Sequence, residues 1–319
     1  MGWKLTAGQL LDAWTSYPAM RRRLKGMPPG QPLFLTGTVR SGTTWIARML
    51  AVPGLWLVHE PFNPSKGLWK EPLTYRRPDE VDPTVDRLVM RILRGGARQA
   101  LDLPRAQHPL MPLRLFPQPF RRILLKDPMG CLLTAYLSER HGFRSLVVFR
   151  HPCGFVASIV RLGWPSAGFV GKLLGCRPLI EDHLAPLVPL LREHSGKDTV
   201  ESAAVLHGAL NLVLWNTVSR LSLRPVRFED LCRAPLESFE TLFAELSLPY
   251  SSEVRQVHEK LCFSESRPAG GHRAHEVERR SGDMADAWKG QLSPGDARRI
   301  RGIWEQFRIP LYASDADWV

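Results

Sequence analysis

One stretch near the start of the chain constrains the fold most: an apolar run, then a loop of small residues, then a helical pattern. The apolar run covers residues 32–35, and residues 37–44 are rich in glycine, serine and threonine. From Trp45 to Leu50, apolar residues recur at helical spacing. In a strand–loop–helix unit, the N–H groups of the loop and the helix dipole favour a bound anion. We therefore expect an anion-binding loop at residues 37–44.

The rest of the chain repeats the alternation of apolar runs with helical patterns. This alternation is typical of an α/β domain with a central parallel sheet flanked by helices. We predict five strands, at residues 32–35, 55–59, 121–126, 145–149 and 223–228.

The glycine spacing of the first loop nearly matches a P-loop, in which Gly-x4-Gly is followed by Lys and then Ser or Thr. Thr43 stands at the lysine position, and the cation of the loop is Arg40 instead. The later strand 145–149 ends at Arg150 and not at an aspartate that could hold magnesium. The pattern therefore indicates a P-loop-like site for a phosphate-like group that arginine neutralises.

The run from Thr38 to Trp45 resembles the 5′-phosphosulfate loop of sulfotransferases that use PAPS (3′-phosphoadenosine 5′-phosphosulfate) as donor. With arginine at position 40, the loop resembles that of the carbohydrate-type enzymes more than that of the cytosolic small-molecule type, which has lysine there. The resemblance implies transfer of a sulfuryl group from PAPS to a hydroxyl or amine of a carbohydrate or glycosylated acceptor. It also implies that the donor contacts Arg40, Ser41, Gly42, Thr43, Thr44 and Trp45.

A second match to the same family lies downstream. Arg150 follows the strand 145–149, and Ser158 lies eight residues later, beyond a predicted helix start. A guanidinium and a hydroxyl can hold one anion between them. The resemblance assigns Arg150 and Ser158 to the 3′-phosphate of PAPS.

Two charged residues follow other predicted strands. Glu60 comes directly after the run 55–59, and Lys126 ends the run 121–126. The carboxyl ends of parallel strands meet at one edge of a sheet, so we expect both residues near Arg40. The resemblance implies that Glu60 is the general base and that Arg40 and Lys126 are catalytic cations. No metal is expected to take part.

Pro128 separates this chain from the cytosolic sulfotransferases, which place a catalytic histidine two positions after the lysine that Lys126 matches. Glu60 is therefore the candidate base. His59 is the alternative, because it adjoins Glu60. Neighbouring side chains of a strand point to opposite faces, so we expect only one of the two to face the donor.

The net charge of +12 favours anionic ligands. PAPS or an acidic glycan fits this charge, whereas no zinc finger or basic-aromatic repeat indicates a nucleic acid. The five cysteines are widely spaced and odd in number, which argues against a disulfide scaffold or a zinc site. They favour a reducing, cytoplasmic compartment.

We predict an N-terminal helical arm at 1–30 and one domain at 31–319. The arm has no run that could span a membrane, and docking onto the domain is predicted, with weak peripheral membrane contact as the alternative. Residues 163–200 are predicted to be a cap that shapes the acceptor site, and the polar segment 264–285 a mobile lid. Within that lid, Arg279 and Arg280 resemble the family's basic loop over the 3′-phosphate.

Two other functions remain open. A P-loop kinase or NTPase is one, although Thr43 in place of lysine weighs against it. A non-catalytic protein that binds glycans or anions is the other, although the presence of Arg40, Glu60 and Lys126 weighs against that. Three tryptophans are candidates for stacking on a sugar, with ordinary packing as the alternative: Trp56, Trp69 and Trp164.

Overall fold

The computed structural model describes residues 30–50, 52, 55–93, 122–263 and 281–319. Three predictions fall outside these residues: the arm, apart from Gly30; residues 264–280 of the lid; and the basic pair Arg279 and Arg280.

Five parallel strands form one sheet in the order β2-β3-β1-β4-β5. The predicted α/β class, a central parallel sheet flanked by helices, is confirmed. The strands are β1 (Leu33–Gly37), β2 (Leu55–His59), β3 (Arg122–Lys126), β4 (Arg144–Phe149) and β5 (Val226–Arg227).

Helices connect the strands and cover both faces of the sheet. The first part of the chain forms α1 (Thr43–Met49), α2 (Pro83–Leu93), α3 (Thr134–His141), α4 (Pro152–Leu162) and α5 (Ser166–Leu174). The second part forms α6 (Arg177–Leu179), α7 (Val188–Glu193), α8 (Val200–Arg220), α9 (Phe228–Arg233), α10 (Pro235–Glu245), α11 (Ser252–Phe263), α12 (Ser281–Ala285) and α13 (Pro294–Gln306). A π-turn at Ile180–Leu184 and short 3₁₀ turns at Pro64–Lys66, Cys131–Leu133, Ala185–Leu187 and Asp315–Asp317 complete the described elements.

The fifth strand is shorter than the sequence predicts. Only Val226 and Arg227 pair with β4, and α9 begins at the next residue. Pro225 has no N–H to donate to a ladder. Glu229 and Asp230 lie in the first turn of α9, where acidic side chains favour a helix.

Successive strand residues pack on opposite faces of the sheet. In β1, Leu33 and Leu35 belong to a core with residues of α1, α10 and α11, whereas Phe34 belongs to a core with residues of α2 and α3. The far end of β4 contributes Val147 and Phe149 to a third core, built mainly on α4 and α8. These cores occupy the two faces of the sheet, so a functional site is expected at the carboxyl edge of the strands.

No single helix within the described ranges is long and apolar enough to cross a membrane. Taken together, α4 and α5 have the length and apolar composition of such a span, but the chain bends by 115° between them.

Candidate active site

A cavity of about 260 Å³ opens at the carboxyl edge of the sheet. Four cationic side chains line it, and Glu60 is the acidic residue among the described residues of its wall. Such a wall has a positive potential that favours an anionic ligand. The cations are Arg40, Lys126, Arg150 and Arg161.

The strand order divides this cavity into two ends. Glu60 follows β2 and Lys126 ends β3 on one side of the sheet, whereas Arg150 and Phe228 follow β4 and β5 on the other. The loop after β1, which contains Arg40, lies between them because β1 is the central strand. We call the first side the carboxylate end and the second the arginine end.

The loop after β1 is a tight turn built on unusual backbone angles. Ser41 N donates a hydrogen bond to Thr38 O over 3.1 Å, and Arg40 has a φ of 66°. This left-handed conformation costs a non-glycine residue about 1–3 kcal/mol and is typical of functional loops. Gly42 has a φ of 85°, and a Cβ there would lie 2.2 Å from the Phe228 ring. Position 42 therefore requires glycine.

The residues predicted to contact the donor differ in their access to the cavity. Gly42, Thr43, Thr44 and Trp45 line it. Trp45 is also a core residue, with ring centroids 5.9 Å from Phe228 and 5.3 Å from Phe239 in edge-to-face geometry. Ser41 is fully buried, and its N–H is bonded within the turn. In this conformation Ser41 stabilises the turn from its buried side and is absent from the described wall of the cavity.

The residues predicted for the two phosphate groups contact each other directly. Arg40 Nε donates to Ser158 Oγ over 3.0 Å, and Arg150 Nη1 donates to the carbonyl oxygen of Arg40 over 2.5 Å. The guanidinium of Arg150 also lies 5.0 Å from the centroid of the Phe228 ring. The arginine end and the loop are thus parts of one connected site.

At the carboxylate end, Lys126 forms an ion pair with Glu60. Lys126 Nζ lies 3.4 Å from His59 Nε2, and Asn63 Nδ2 donates to Glu60 Oε2 over 2.7 Å. Of His59 and Glu60, only Glu60 lines the described wall of the cavity, as expected, but the side chains do not point to opposite faces, since they lie 3.6 Å apart. The reason is local: Glu60 has left the strand, with a φ of 54°, so strand alternation no longer applies to it. Glu60 lines the cavity, and His59 is buried behind it.

Burial alone would raise the pKa of the Glu60 carboxyl, but the Lys126 ammonium and the His59 ring outweigh it and lower the pKa to about 2. The neighbouring Asp127 is fully buried, and burial followed by the Glu60 charge raises its pKa to about 7. Asp127 accepts hydrogen bonds from the N–H groups of Phe62, Met129 and Gly130. Asp127 therefore ties together the loops that follow β2 and β3.

The lowered pKa of Glu60 predicts how stability depends on pH. The ordinary value is 4.5, so the stabilising effect of the ionised carboxylate is fully present above pH 4.5 and is lost as the pH falls towards 2. We expect the free energy of unfolding of the wild type to rise relative to Glu60→Gln by a few kcal/mol between pH 2 and 4.5. Urea unfolding at several pH values measures this difference. A difference that stays constant over this range would contradict the ion pair.

Several cavity residues were not predicted from the sequence. Arg161 lies one helical turn after Ser158 on α4, and this spacing could have indicated it. Asn63 was missed because an asparagine in a loop has no distinctive pattern. The C-terminal segment adds Met284, which lies within the predicted lid 264–285, to the cavity wall. It also adds three residues that were missed because their contribution depends on tertiary packing, namely Ala287, Trp288 and Gln291.

The three tryptophans considered for sugar stacking have different positions. Trp69 is a core residue whose Nε1 donates to Thr74 Oγ1 over 2.9 Å, with its ring against Phe62. Trp164 lines the cavity. The side chain of Trp56 lies outside the described part of the chain. Of the two tryptophans whose side chains are described, Trp164 is the one that is exposed to the cavity.

Within the described segments, no group of three or more histidine, cysteine, aspartate or glutamate side chains is arranged to hold a metal ion.

Comparison with known proteins gives structural similarity alone. No family model matches the chain, and no curated protein matches it. One similar solved structure is the sulfotransferase domain from the curacin biosynthetic pathway, at 18% identity and a TM-score of 0.43, covering 89% of this chain and 100% of that one. A mouse sulfotransferase complexed with PAP is 13% identical, with a TM-score of 0.45 and coverage of 95% and 92%. A retinol dehydratase in a complex with retinol and PAP is 14% identical, with a TM-score of 0.41 and coverage of 98% and 89%. Similarity at this level assigns no activity to the chain, so its function has to be argued from the chemistry of the cavity.

Proposed function

We propose that the protein is a sulfotransferase that moves the sulfuryl group of PAPS to a hydroxyl or amine of an acceptor. The observation that supports this most is the composition of the cavity wall, with four cationic side chains and the carboxylate of Glu60. PAPS has three anionic groups, namely the 3′-phosphate, the 5′-phosphate and the sulfate. Its charge complements that of the wall, and the carboxylate is a group that can accept a proton from the acceptor.

The strand order supports one orientation of the donor. The 3′-phosphate would lie at the arginine end, between Arg150 and Ser158, where a guanidinium and a hydroxyl face the cavity. The 5′-phosphosulfate would lie along the loop beside Arg40. The sulfuryl group would then reach Lys126 and Glu60 at the carboxylate end.

In the reaction that we propose, the acceptor oxygen or nitrogen attacks the sulfur atom of PAPS. The bond between sulfur and the bridging phosphate oxygen breaks, and PAP leaves with the electron pair of that bond. Arg40 and Lys126 stabilise the negative charge that develops on the bridging and sulfuryl oxygens. Glu60 accepts the proton that the acceptor loses.

The ion pair with Lys126 weakens Glu60 as a base, because it lowers the pKa of the carboxyl group. A carboxylate with a pKa of about 2 is a weak general base, and Lys126 is the main cause of the lowering. The sulfuryl oxygens of PAPS would compete with Glu60 for the Lys126 ammonium. As Lys126 turns towards the donor, the burial of Glu60 favours a higher pKa and a stronger base.

We propose a carbohydrate or glycosylated molecule as the acceptor. The supporting features are the similarity of the Arg40 loop to carbohydrate-type enzymes and the amide of Asn63, which lies beside Glu60 in the cavity wall. Trp164 adds an aromatic face. We also propose a cytoplasmic location, with which the five unpaired cysteine thiols agree.

The test is calorimetry with PAP, ATP and GTP, followed by a screen of glycans, glycolipids and phenols with labelled PAPS in excess EDTA. We expect PAP to bind more tightly than ATP or GTP, since the orientation that we propose brings the 3′-phosphate to Arg150 and Ser158. Transfer should persist in EDTA, because the four cations supply the charge that magnesium supplies in an NTPase. Preference for ATP with magnesium-dependent turnover would favour the kinase alternative. Binding of PAP without transfer to any acceptor would favour the non-catalytic one.

A further inference from the structure

His207 is a fully buried histidine on α8 that lies behind the cavity and contacts both of its anion-binding parts. Its Nε2 lies 2.9 Å from the carbonyl oxygen of Arg150. Its Nδ1 lies 3.4 Å from Thr38 Oγ1, in the loop after β1, and 3.1 Å from Asn211 Nδ2. One side chain therefore joins the end of β4 to the loop after β1.

These contacts define the state of the ring. A carbonyl oxygen can only accept, so Nε2 bears the proton and donates to Arg150. Nδ1 is then the acceptor for Thr38 and Asn211. Burial lowers the pKa of His207 to about 3, so the ring is neutral at physiological pH. Phe155 stacks on it at a centroid distance of 4.2 Å and Trp304 at 5.6 Å, which holds the ring in place.

The contacts of His207 add a second connection between the loop after β1 and the arginine end. Thr38 lies two residues before Arg40, whose carbonyl oxygen accepts a hydrogen bond from Arg150 Nη1. His207 contacts Thr38 on one side of this connection and the backbone of Arg150 on the other. The loop and the arginine end are thus linked twice, once at the cavity surface and once beneath it.

We propose that His207 is a positioning residue that sets the separation between the loop and Arg150 and so matches the site to a ligand with anionic groups at both its 5′ and 3′ positions. This inference rests on the proposed function, since it concerns the donor site. Its consequence is specific. Loss of the His207 hydrogen bonds should weaken a bisphosphorylated nucleotide more than one with a single phosphate.

The experiment measures the dissociation constants of PAP and AMP, which differ only in the 3′-phosphate, by calorimetry. His207→Phe retains a ring between Phe155 and Trp304 but removes the hydrogen bonds of both ring nitrogens. We expect the preference for PAP over AMP to fall about tenfold, the effect of one or two hydrogen bonds. His207→Gln retains an N–H that can reach the Arg150 carbonyl, so it should recover most of the preference.

His258→Phe is the matched control. His258 is also a buried histidine, and its Nε2 lies 2.6 Å from the carbonyl oxygen of Met49, with Phe239 and Phe243 against its ring. It is absent from the described wall of the cavity. The control should lose stability in a similar way and keep the preference of the wild type for PAP.

The outcomes separate this inference from the function on which it rests. If the wild-type protein binds PAP no more tightly than AMP, the proposed function is contradicted. If the wild-type protein clearly prefers PAP over AMP and His207→Phe keeps this preference, only the positioning role of His207 is overturned. If His207→Phe does not fold, His207→Gln is compared with His207→Asn, whose amide is one methylene shorter. Equal preference in these two would also overturn the role, and a lower preference in His207→Asn would support it.

Discussion

Replacing Glu60 by Gln is expected to lower turnover by about 10²–10⁴ under saturating PAPS, while PAP still binds with nearly the affinity of the wild type. Glutamine has nearly the size of glutamate and can still accept the hydrogen bond of Asn63, but it cannot take a proton from the acceptor. In the orientation that we propose, Glu60 contacts the acceptor and Lys126 and not the phosphates of the donor. Turnover with labelled PAPS, together with calorimetry for PAP, measures the two effects separately.

His59→Gln is the matched control for this experiment. Both side chains lie near Lys126, but Glu60 lines the cavity and His59 is buried behind it. We therefore expect His59→Gln to change turnover much less than Glu60→Gln. If His59→Gln abolishes turnover and Glu60→Gln leaves it near the value of the wild type, the base is His59 and the mechanism proposed for Glu60 is wrong.

Replacing Arg150 by Ala is expected to weaken PAP binding by about 2–4 kcal/mol, the range for losing one partner of a buried charge-assisted contact. The loss removes the guanidinium proposed for the 3′-phosphate and also its hydrogen bond to the carbonyl oxygen of Arg40. Adenosine 5′-phosphosulfate has no 3′-phosphate, so its binding should weaken far less. Calorimetry with the two ligands gives the comparison.

Arg122→Ala is a control for the loss of a partly buried arginine elsewhere in the sheet. Arg122 begins β3, at the edge opposite the cavity, and donates to the carbonyl oxygens of Gln31 and Leu246. It should lower stability and leave the preference for PAP unchanged. Equal losses of both ligands in Arg150→Ala would show that Arg150 supports the site as a whole and does not select the 3′-phosphate.

The sequence alone was enough to predict the fold class and the neighbourhood of the site. Apolar runs and helical spacing are local signals, and they placed β1 to β4 within a residue or two of their observed positions. The rule that function gathers at the carboxyl ends of parallel strands then predicted that Glu60 and Lys126 would lie near Arg40, and the family resemblance added Arg150 to the same site. All four line one cavity.

The limits of local signals appear at β5 and at Glu60. An apolar run predicted a strand over residues 223–228, but Pro225 keeps the strand from beginning before Val226, and the acidic residues at the start of α9 end it at Arg227. Strand alternation correctly predicted that only one of His59 and Glu60 faces the cavity, but it did not predict that the positive φ of Glu60 brings their side chains within 3.6 Å of each other. A backbone angle of this kind depends on the surrounding structure and has no sequence signature in a non-glycine residue.

Only the tertiary structure decided which side chains are joined within the site. The contact of Arg40 with Ser158 spans 118 residues, that of Lys126 with Glu60 spans 66, and that of His207 with Thr38 spans 169. Such pairs follow from the order of the strands and from how α8 packs beneath them, and periodicity contains no information on either. The sequence by itself therefore determined that Arg40, Glu60 and Lys126 reach the cavity, because chain-local patterns place strand ends, whereas Arg161 was recognised only in the structure. The ion pair of Glu60, the connection between Arg40 and Arg150 and the position of His207 required the packed fold, because each joins segments that are distant in the chain.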